Sequence, residues 1–139
     1  AWVWRELPVP VIAAIHGACF GGGLQIALAA DVRLVAADAK LSVMELRYGI
    51  IPDMTATRTL SKLVRADVAL DLILSARELS GAEAVAIGLG TRVAADPIAE
   101  ALALAADYAT RSPHAIQAAK RLFWGAEDLD VRDALALES

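Results

Sequence analysis

Gly21, Gly22 and Gly23 stand where an apolar run gives way to a helical pattern, in the stretch HGACFGGGLQIALAAD. A helix that begins at a glycine turn presents free backbone N–H groups and the positive end of its dipole, and both favour negative charge. The missing side chains also allow a ligand to approach the backbone closely. The turn therefore predicts an anion site, and close packing of the helix on a strand is the structural alternative.

Two kinds of anion suit such a turn. A phosphate site normally carries G-x-x-x-x-G-K-[ST] or G-x-G-x-x-G, and neither pattern is present here. The other candidate is the oxyanion of an enolate or alkoxide, which forms when a carbonyl reacts. Glu45 lies between the apolar residues Met44 and Leu46 and is a candidate acid or base, or else a cap for the following turn.

The elements that must position these residues follow from hydrophobic periodicity and from capping residues. The pattern predicts strands at 9–17, 32–37 and 91–95, an extended piece at 40–44, and helices at 22–30, 55–64, 66–76, 80–88, 96–111 and from 112, with a last helix near Asp130. Ser80 with Glu83, Asp96 and Ser112 are the predicted helix caps. Strands come first and helices accumulate later, so an α/β core followed by a helical layer is expected.

Composition excludes several classes. The chain has 139 residues, 58% of them hydrophobic, a net charge of −4 and a mean hydropathy of +0.52. The basic residues do not cluster and no apolar run reaches the roughly 20 residues of a membrane span, so neither nucleic acid nor a membrane is an expected partner. One cysteine, Cys19, excludes an internal disulfide and fits the cytoplasm. No metal-ligand spacing is present.

Two long stretches carry a family resemblance. PVIAAIHGACFGGGLQIALAADVRLVAADAKLSVMELRYGIIPD closely resembles the crotonase superfamily, the enoyl-CoA hydratases and isomerases, and RELSGAEAVAIGLGTRVAAD resembles a later motif of the same family. The resemblance covers essentially the whole chain. It implies the α/β ββα spiral of that family, with 1–96 as the second half of the core and 97–139 as the start of the C-terminal helices. The chain is thus expected to be a fragment, without the first half of the core and the last helix.

The resemblance also implies an acyl-CoA thioester as substrate, with coenzyme A as part of that substrate and no cofactor. Family members hold the thioester carbonyl between two backbone N–H groups, and Gly22 matches one of them. The other belongs to the half of the core that the chain lacks. Gly21, Gly23 and Thr55 match positions of the substrate pocket, and Thr55 replaces a glycine that lines the acyl pocket in relatives.

Three positions match the acid–base groups of the family. Gln25 stands where hydratases have a first glutamate, twenty residues before Glu45, which matches the second. An amide cannot carry a proton, although it can hold a water or orient a substrate. Asp53 follows Glu45 by eight residues and resembles the acid of the branch that moves double bonds; alternatively it caps the helix after it. A nucleophile site of His16, Cys19 and Glu45 has no supporting spacing.

We therefore expect acid–base chemistry on an enoyl-CoA thioester, with double-bond isomerisation favoured over hydration because Gln25 replaces a glutamate. A non-catalytic crotonase-like protein, or an inactive fragment with a structural or acyl-CoA-binding role, is the alternative. The high apolar content predicts surface covered by neighbours. The resemblance implies that these neighbours form a homotrimer or a dimer of trimers.

Overall fold

The first four strands alternate between two sheets in the computed structural model, which describes residues 1–127 and 129–137. The first sheet is parallel, in the order β1-β3-β6, and consists of β1 (Ile12–Ile15), β3 (Val32–Val35) and β6 (Arg92–Val93). In the second sheet β4 lies between a parallel and an antiparallel neighbour; its strands are β2 (Ala18–Phe20), β4 (Lys40–Ser42) and β5 (Leu79–Ser80).

This alternation makes a repeated ββα unit. In the first unit β1 and β2 lead into the helix Gly22–Leu28. In the second unit β3 and β4 lead into the 3₁₀ helix Glu45–Tyr48 and then the helix Ala56–Leu63. The units stack because β1 pairs with β3 in one sheet while β2 pairs with β4 in the other. Parallel strands need crossover connections, and here the helices supply them. The glycine turn and Glu45 therefore occupy equivalent ends of neighbouring units.

Helices account for most of the remaining chain. They are α1 (Val3–Glu6), α2 (Gly22–Leu28), the 3₁₀ helix (Glu45–Tyr48), α3 (Ala56–Leu63), α4 (Ala66–Ser75), α5 (Gly81–Ala86), α6 (Pro97–Ala109), α7 (Pro113–Gly125) and α8 (Val131–Leu137). α6 packs against β1 and β3. The division of the chain at 96/97 stays a prediction.

The predicted caps are confirmed. The Ser80 hydroxyl accepts the Glu83 N–H at 3.2 Å, and the Glu83 carboxylate accepts the Ser80 N–H at 2.8 Å, which completes a capping box. Asp96 accepts the N–H groups of the second and third residues of α6, and Ser112 accepts one from the first turn of α7. Both helices begin with proline, a residue well suited to the first helical position.

Four short elements are absent from the sequence prediction, and one predicted strand is shorter than expected. The predicted strand at 9–17 ends at Ile15, because Gly17 adopts φ +63° and turns the chain into β2, which was not predicted. β5 and α1 were also not predicted. The segment after Met44, for which no element was predicted, forms a single 3₁₀ turn that ends at Gly49 with φ +69°. Each missed element is four residues or shorter, too short to show periodicity.

A buried leucine cluster holds the two sheets and the helices together. Its largest members are at most 1% exposed: Leu24, Leu28, Leu34, Leu41, Leu60, Leu72 and Leu89. Leu24 and Leu28 belong to α2, so the helix that begins at the glycine turn is anchored along its buried face. Such anchoring fixes the position of the first turn of α2 relative to β4.

Asp31 ties α7 to the core. Its carboxylate accepts the Val11 N–H at 2.8 Å and the Trp124 indole N–H at 2.9 Å, and it pairs with Lys120 Nζ at 2.7 Å. The Lys120 side chain is only 8% exposed and also donates to the Val9 carbonyl at 2.8 Å. One carboxylate therefore accepts from three donors and supplies the opposite charge for the buried ammonium of Lys120.

Replacing Asp31 by alanine is expected to lower the free energy of unfolding by about 3–5 kcal/mol. The substitution removes the charge partner of a buried ammonium and the acceptor of two further N–H donors. Denaturant titration measures the change. Asp38, an exposed carboxylate, provides the matched control, and Asp38→Ala should change the same quantity by less than about 0.5 kcal/mol. Equal effects from the two substitutions would contradict the role given to Asp31.

Candidate active site

The glycine turn closes β2 and opens α2. Gly21 adopts φ +50° and ψ −124°, a backbone conformation that favours glycine, and its N–H donates to the Ser42 carbonyl at 3.0 Å. Gly22 and Gly23 are the first two residues of the helix, and no side chain caps them. The turn thus leaves backbone donors of the helix N-terminus available to a ligand.

A cavity of about 320 Å³ lies at this turn. Its polar wall contains Gly21, Gly22, Gln25, Glu45 and Asp53. Its apolar wall contains Phe20, Met44, Tyr48, Ile50 and Met54. The cavity therefore combines backbone donors, a carboxylate pair and a largely apolar surface, which is the usual composition of a small-molecule site.

Glu45 is the buried carboxylate of the cavity, with 5% of its surface exposed. It is the first residue of the 3₁₀ helix, and that helix has no side-chain cap. Its Oε1 accepts a hydrogen bond from Gln25 Nε2 at 2.5 Å, and its Oε2 has no partner among the described residues. The unpartnered oxygen is chemically suited to take a proton from a bound ligand.

Gln25 lies between Glu45 and the start of α3. It is 1% exposed, and its Oε1 accepts the Met54 N–H at 2.8 Å and the Ala56 N–H at 3.2 Å. The amide therefore bonds to both segments that carry the candidate acids.

Asp53 lines the same cavity, but its side chain is exposed, unlike that of Glu45. The helix after it begins at Ala56, its N-cap residue is Thr55, and no side chain caps it. The capping role considered for Asp53 is therefore not observed. The arrangement allows one ligand to contact a buried and an exposed carboxylate.

Two predicted pocket residues lie outside the lining of this cavity. A Cβ at Gly23 would meet no atom within 4 Å, so that position faces open space. Thr55 adopts φ +79°, rare for a β-branched residue, and its Oγ1 is buried without a partner among the described residues.

The sequence did not single out the apolar wall. Met44 and Met54 each adjoin a candidate carboxylate in the chain, and a Cβ on Gly22 would lie only 3.1 Å from Met54 Sδ. That adjacency is the one available signal, since Phe20, Tyr48 and Ile50 have no distinguishing pattern. Met54 therefore packs directly over Gly22.

A nucleophile site at Cys19 is not supported. Burial raises the pKa of the Cys19 thiol to about 11, so the thiol stays protonated near neutral pH. His16 is exposed and does not line the cavity. Among residues 1–127 and 129–137 no group of three or more metal-binding side chains occurs, and no helix there is long and apolar enough to cross a bilayer.

Comparison with known proteins gives consistent matches. The family model described as enoyl-CoA hydratase/isomerase matches residues 3–139. A Bacillus subtilis protein named "Probable enoyl-CoA hydratase" is 42% identical over 138 residues, which cover 97% of this chain and 54% of that protein. The human mitochondrial methylglutaconyl-CoA hydratase is 38% identical over 139 residues, covering 96% of this chain and 41% of that protein.

Solved structures agree. A Bacillus anthracis enoyl-CoA hydratase superposes with a TM-score of 0.92 at 34% identity, covering 97% of this chain and 53% of that one. A Thermobifida fusca protein solved in complex with acetoacetyl-CoA superposes with a TM-score of 0.93 at 34% identity, covering 99% and 55%. The chain thus spans about half the length of the relatives that it matches.

Proposed function

This chain belongs to the enoyl-CoA hydratase/isomerase family and has the crotonase-like fold, and from that premise we propose that it binds an acyl-CoA thioester and moves a proton on the acyl group. One observation carries the proposal: the buried Glu45, with an unpartnered Oε2, lines the same cavity as Gly22. The acetoacetyl-CoA complex of the Thermobifida fusca protein supports this class of substrate.

The Gly22 N–H is the proposed donor to the thioester oxygen. Removing a proton next to the thioester carbonyl places negative charge on that oxygen, and a fixed donor aimed there lowers the barrier. The positive end of α2 acts in the same direction. The family resemblance assigns the second donor to the half of the core that the matched region leaves out.

Glu45 and Asp53 are the proposed proton carriers. In an isomerisation one carboxylate removes the proton from C2 of a 3-enoyl thioester and an enolate forms. A proton returned at C4 then moves the double bond to C2–C3, so the acyl group neither gains nor loses atoms. The shared cavity lets one acyl chain reach both groups. We favour this reaction over hydration because the amide of Gln25 cannot act as the second acid.

Direct assay tests the proposal. The natural protein that contains this chain is incubated with a 3-enoyl-CoA and separately with a 2-enoyl-CoA, and the products are identified by mass spectrometry. Formation of the 2-enoyl thioester without a mass increase is expected from the first substrate. Addition of water to the second substrate alone would favour hydration. Binding of both thioesters without turnover would instead support the non-catalytic, acyl-CoA-binding alternative.

We propose a homotrimer, or a dimer of trimers, as the assembly. Large apolar side chains remain exposed on α6 and α7, including Ile98 (51%), Leu102 (67%) and Phe123 (69%). Exposed apolar side chains that form a large patch normally belong to an interface. Sedimentation of the natural protein at micromolar concentration should give a multiple of three subunits, and a compact monomer would contradict the proposal. The single cysteine agrees with a cytoplasmic location.

A further inference from the structure

The Gln25 side chain connects three elements through one amide group. Its oxygen accepts the Met54 and Ala56 N–H groups from the start of α3, and its nitrogen donates to Glu45 on the 3₁₀ helix. Gln25 itself belongs to α2, the helix of the glycine turn. The Gln25 side chain is 1% exposed and has no access to bulk water, so its amide forms its hydrogen bonds with these protein groups.

The partners fix which way the amide points. Two backbone donors converge on one atom of the side chain, so that atom must be the oxygen and the other must be the nitrogen. The nitrogen then has to donate toward Glu45. An ionised carboxylate at position 25 would put two negative oxygens at the 2.5 Å contact unless the pair shared a proton. A neutral amide satisfies both partners with no proton to share.

The same oxygen holds a strained turn. Thr55 lies between the two donors with φ +79°, and a left-handed residue at this place lets the flanking N–H groups converge on one acceptor. A β-branched residue in this conformation costs on the order of 1–3 kcal/mol and persists only where its surroundings enforce it. The two hydrogen bonds from Met54 and Ala56 to Gln25 provide that enforcement.

Resting on the proposed function, we infer that Gln25 is a positioning residue rather than a proton carrier. It binds one oxygen of Glu45 and leaves Oε2 without a protein partner, and it holds the turn that begins after Asp53. The distance between the two carboxylates is therefore set by a single buried amide. Loss of that amide should impair turnover far more than substrate binding, because the reacting groups lose their alignment.

Gln25→Met tests the inference, since methionine has a similar length and no hydrogen-bonding amide. In the natural protein we expect kcat to fall by roughly 10²-fold while KM changes by less than about threefold. Arg33→Met is the matched control: Arg33 is also buried and donates to the Leu89 carbonyl at 2.7 Å, but it does not line the cavity. It should lower stability and leave kcat nearly unchanged. An unchanged kcat in Gln25→Met would overturn the inference.

Gln25→Glu supplies the conservative rescue. When the carboxylates at positions 25 and 45 together retain one proton, a hydrogen bond can form between them again. The other oxygen at position 25 still accepts the Met54 and Ala56 N–H groups. Its activity relative to Gln25→Met should therefore be higher at acidic pH and should fall as the pH rises. Asp53 and Tyr48 also line the cavity, and Asp67 and Asp71 on the neighbouring α4 pair with exposed arginines.

These four groups are the same in both variants, so the ratio of the two pH profiles isolates the effect of the residue at position 25. If the activity of Gln25→Glu relative to Gln25→Met stays constant or increases with pH, the hydrogen bond between positions 25 and 45 does not have the proposed role.

Amide hydrogen exchange separates failure of this inference from failure of the proposed function. The Met54 and Ala56 amides should exchange faster in Gln25→Met than in the unmodified protein, whether or not the protein turns over a thioester. The Val64 amide, which bonds to the Leu60 carbonyl at the far end of α3, should not change. Unchanged exchange at all three amides would overturn the positioning role of Gln25. An unmodified protein that is inactive but shows the expected exchange would overturn only the proposed enzymatic function.

Discussion

Replacing Gly22 by proline in the natural protein should lower kcat by roughly 10²–10³-fold, the loss expected when one donor to a developing oxyanion is removed. Proline has no N–H, and its fixed φ suits the first position of a helix, which Gly22 occupies. The substitution therefore removes the proposed donor while α2 keeps a residue suited to its first position. Steady-state kinetics with the preferred enoyl-CoA measure the effect, and circular dichroism checks the fold.

Gly22→Ala separates the donor from simple crowding. The added Cβ would lie 3.1 Å from Met54 Sδ, and the flexible end of that side chain can shift by the few tenths of an ångström required. The N–H remains, so we expect a loss in kcat of less than about tenfold. Near-normal turnover in a folded Gly22→Pro protein, or equal losses in the two variants, would exclude Gly22 as an oxyanion donor.

Local signals explain which parts of the fold the sequence predicted. Two helix starts were predictable from local residues alone. The caps Ser80 with Glu83, and Asp96 before a proline, bond to backbone groups only a few residues away, so no tertiary information is needed. The glycine turn was legible for the same reason, because Gly21 needs a positive φ that few other residues adopt. The resemblance then supplied the stacking of the ββα units, which no local pattern specifies.

Long-range contacts explain what the sequence did not predict. The hydrogen bond between Gln25 and Glu45 spans twenty residues, and the bonds from the Met54 and Ala56 amides to Gln25 span about thirty. Thr55 shows the same limit: its residue type argues against φ +79°, and the two N–H groups beside it bond to the Gln25 oxygen in a distant segment. The role of Gln25 was therefore open until its partners were placed.

The carboxylate pair gives the second large expected effect. Glu45→Gln and Asp53→Asn should each lower kcat by something like 10²–10⁴-fold if the proton moves between two positions on the acyl chain, since each step then needs a positioned acid or base. Glu45→Gln preserves an acceptor for Gln25 Nε2, so the bridge survives while the group loses its ability to take a proton. Asp53→Asn changes an exposed side chain and should leave stability almost unaltered.

Asp38→Asn is the matched control, because Asp38 is an exposed carboxylate that does not line the cavity. Its kcat should stay within about twofold of the unmodified protein. Rates for the 3-enoyl and 2-enoyl substrates are measured for all three variants. A large loss in Glu45→Gln with nearly full activity in Asp53→Asn would leave a single acid at the site and contradict proton transfer between two carboxylates. Equal losses of kcat in Glu45→Gln and Asp53→Asn on the 3-enoyl substrate would show that the reaction needs both carboxylates. The proton is removed at C2 and returned at C4, and these are different atoms of one acyl chain.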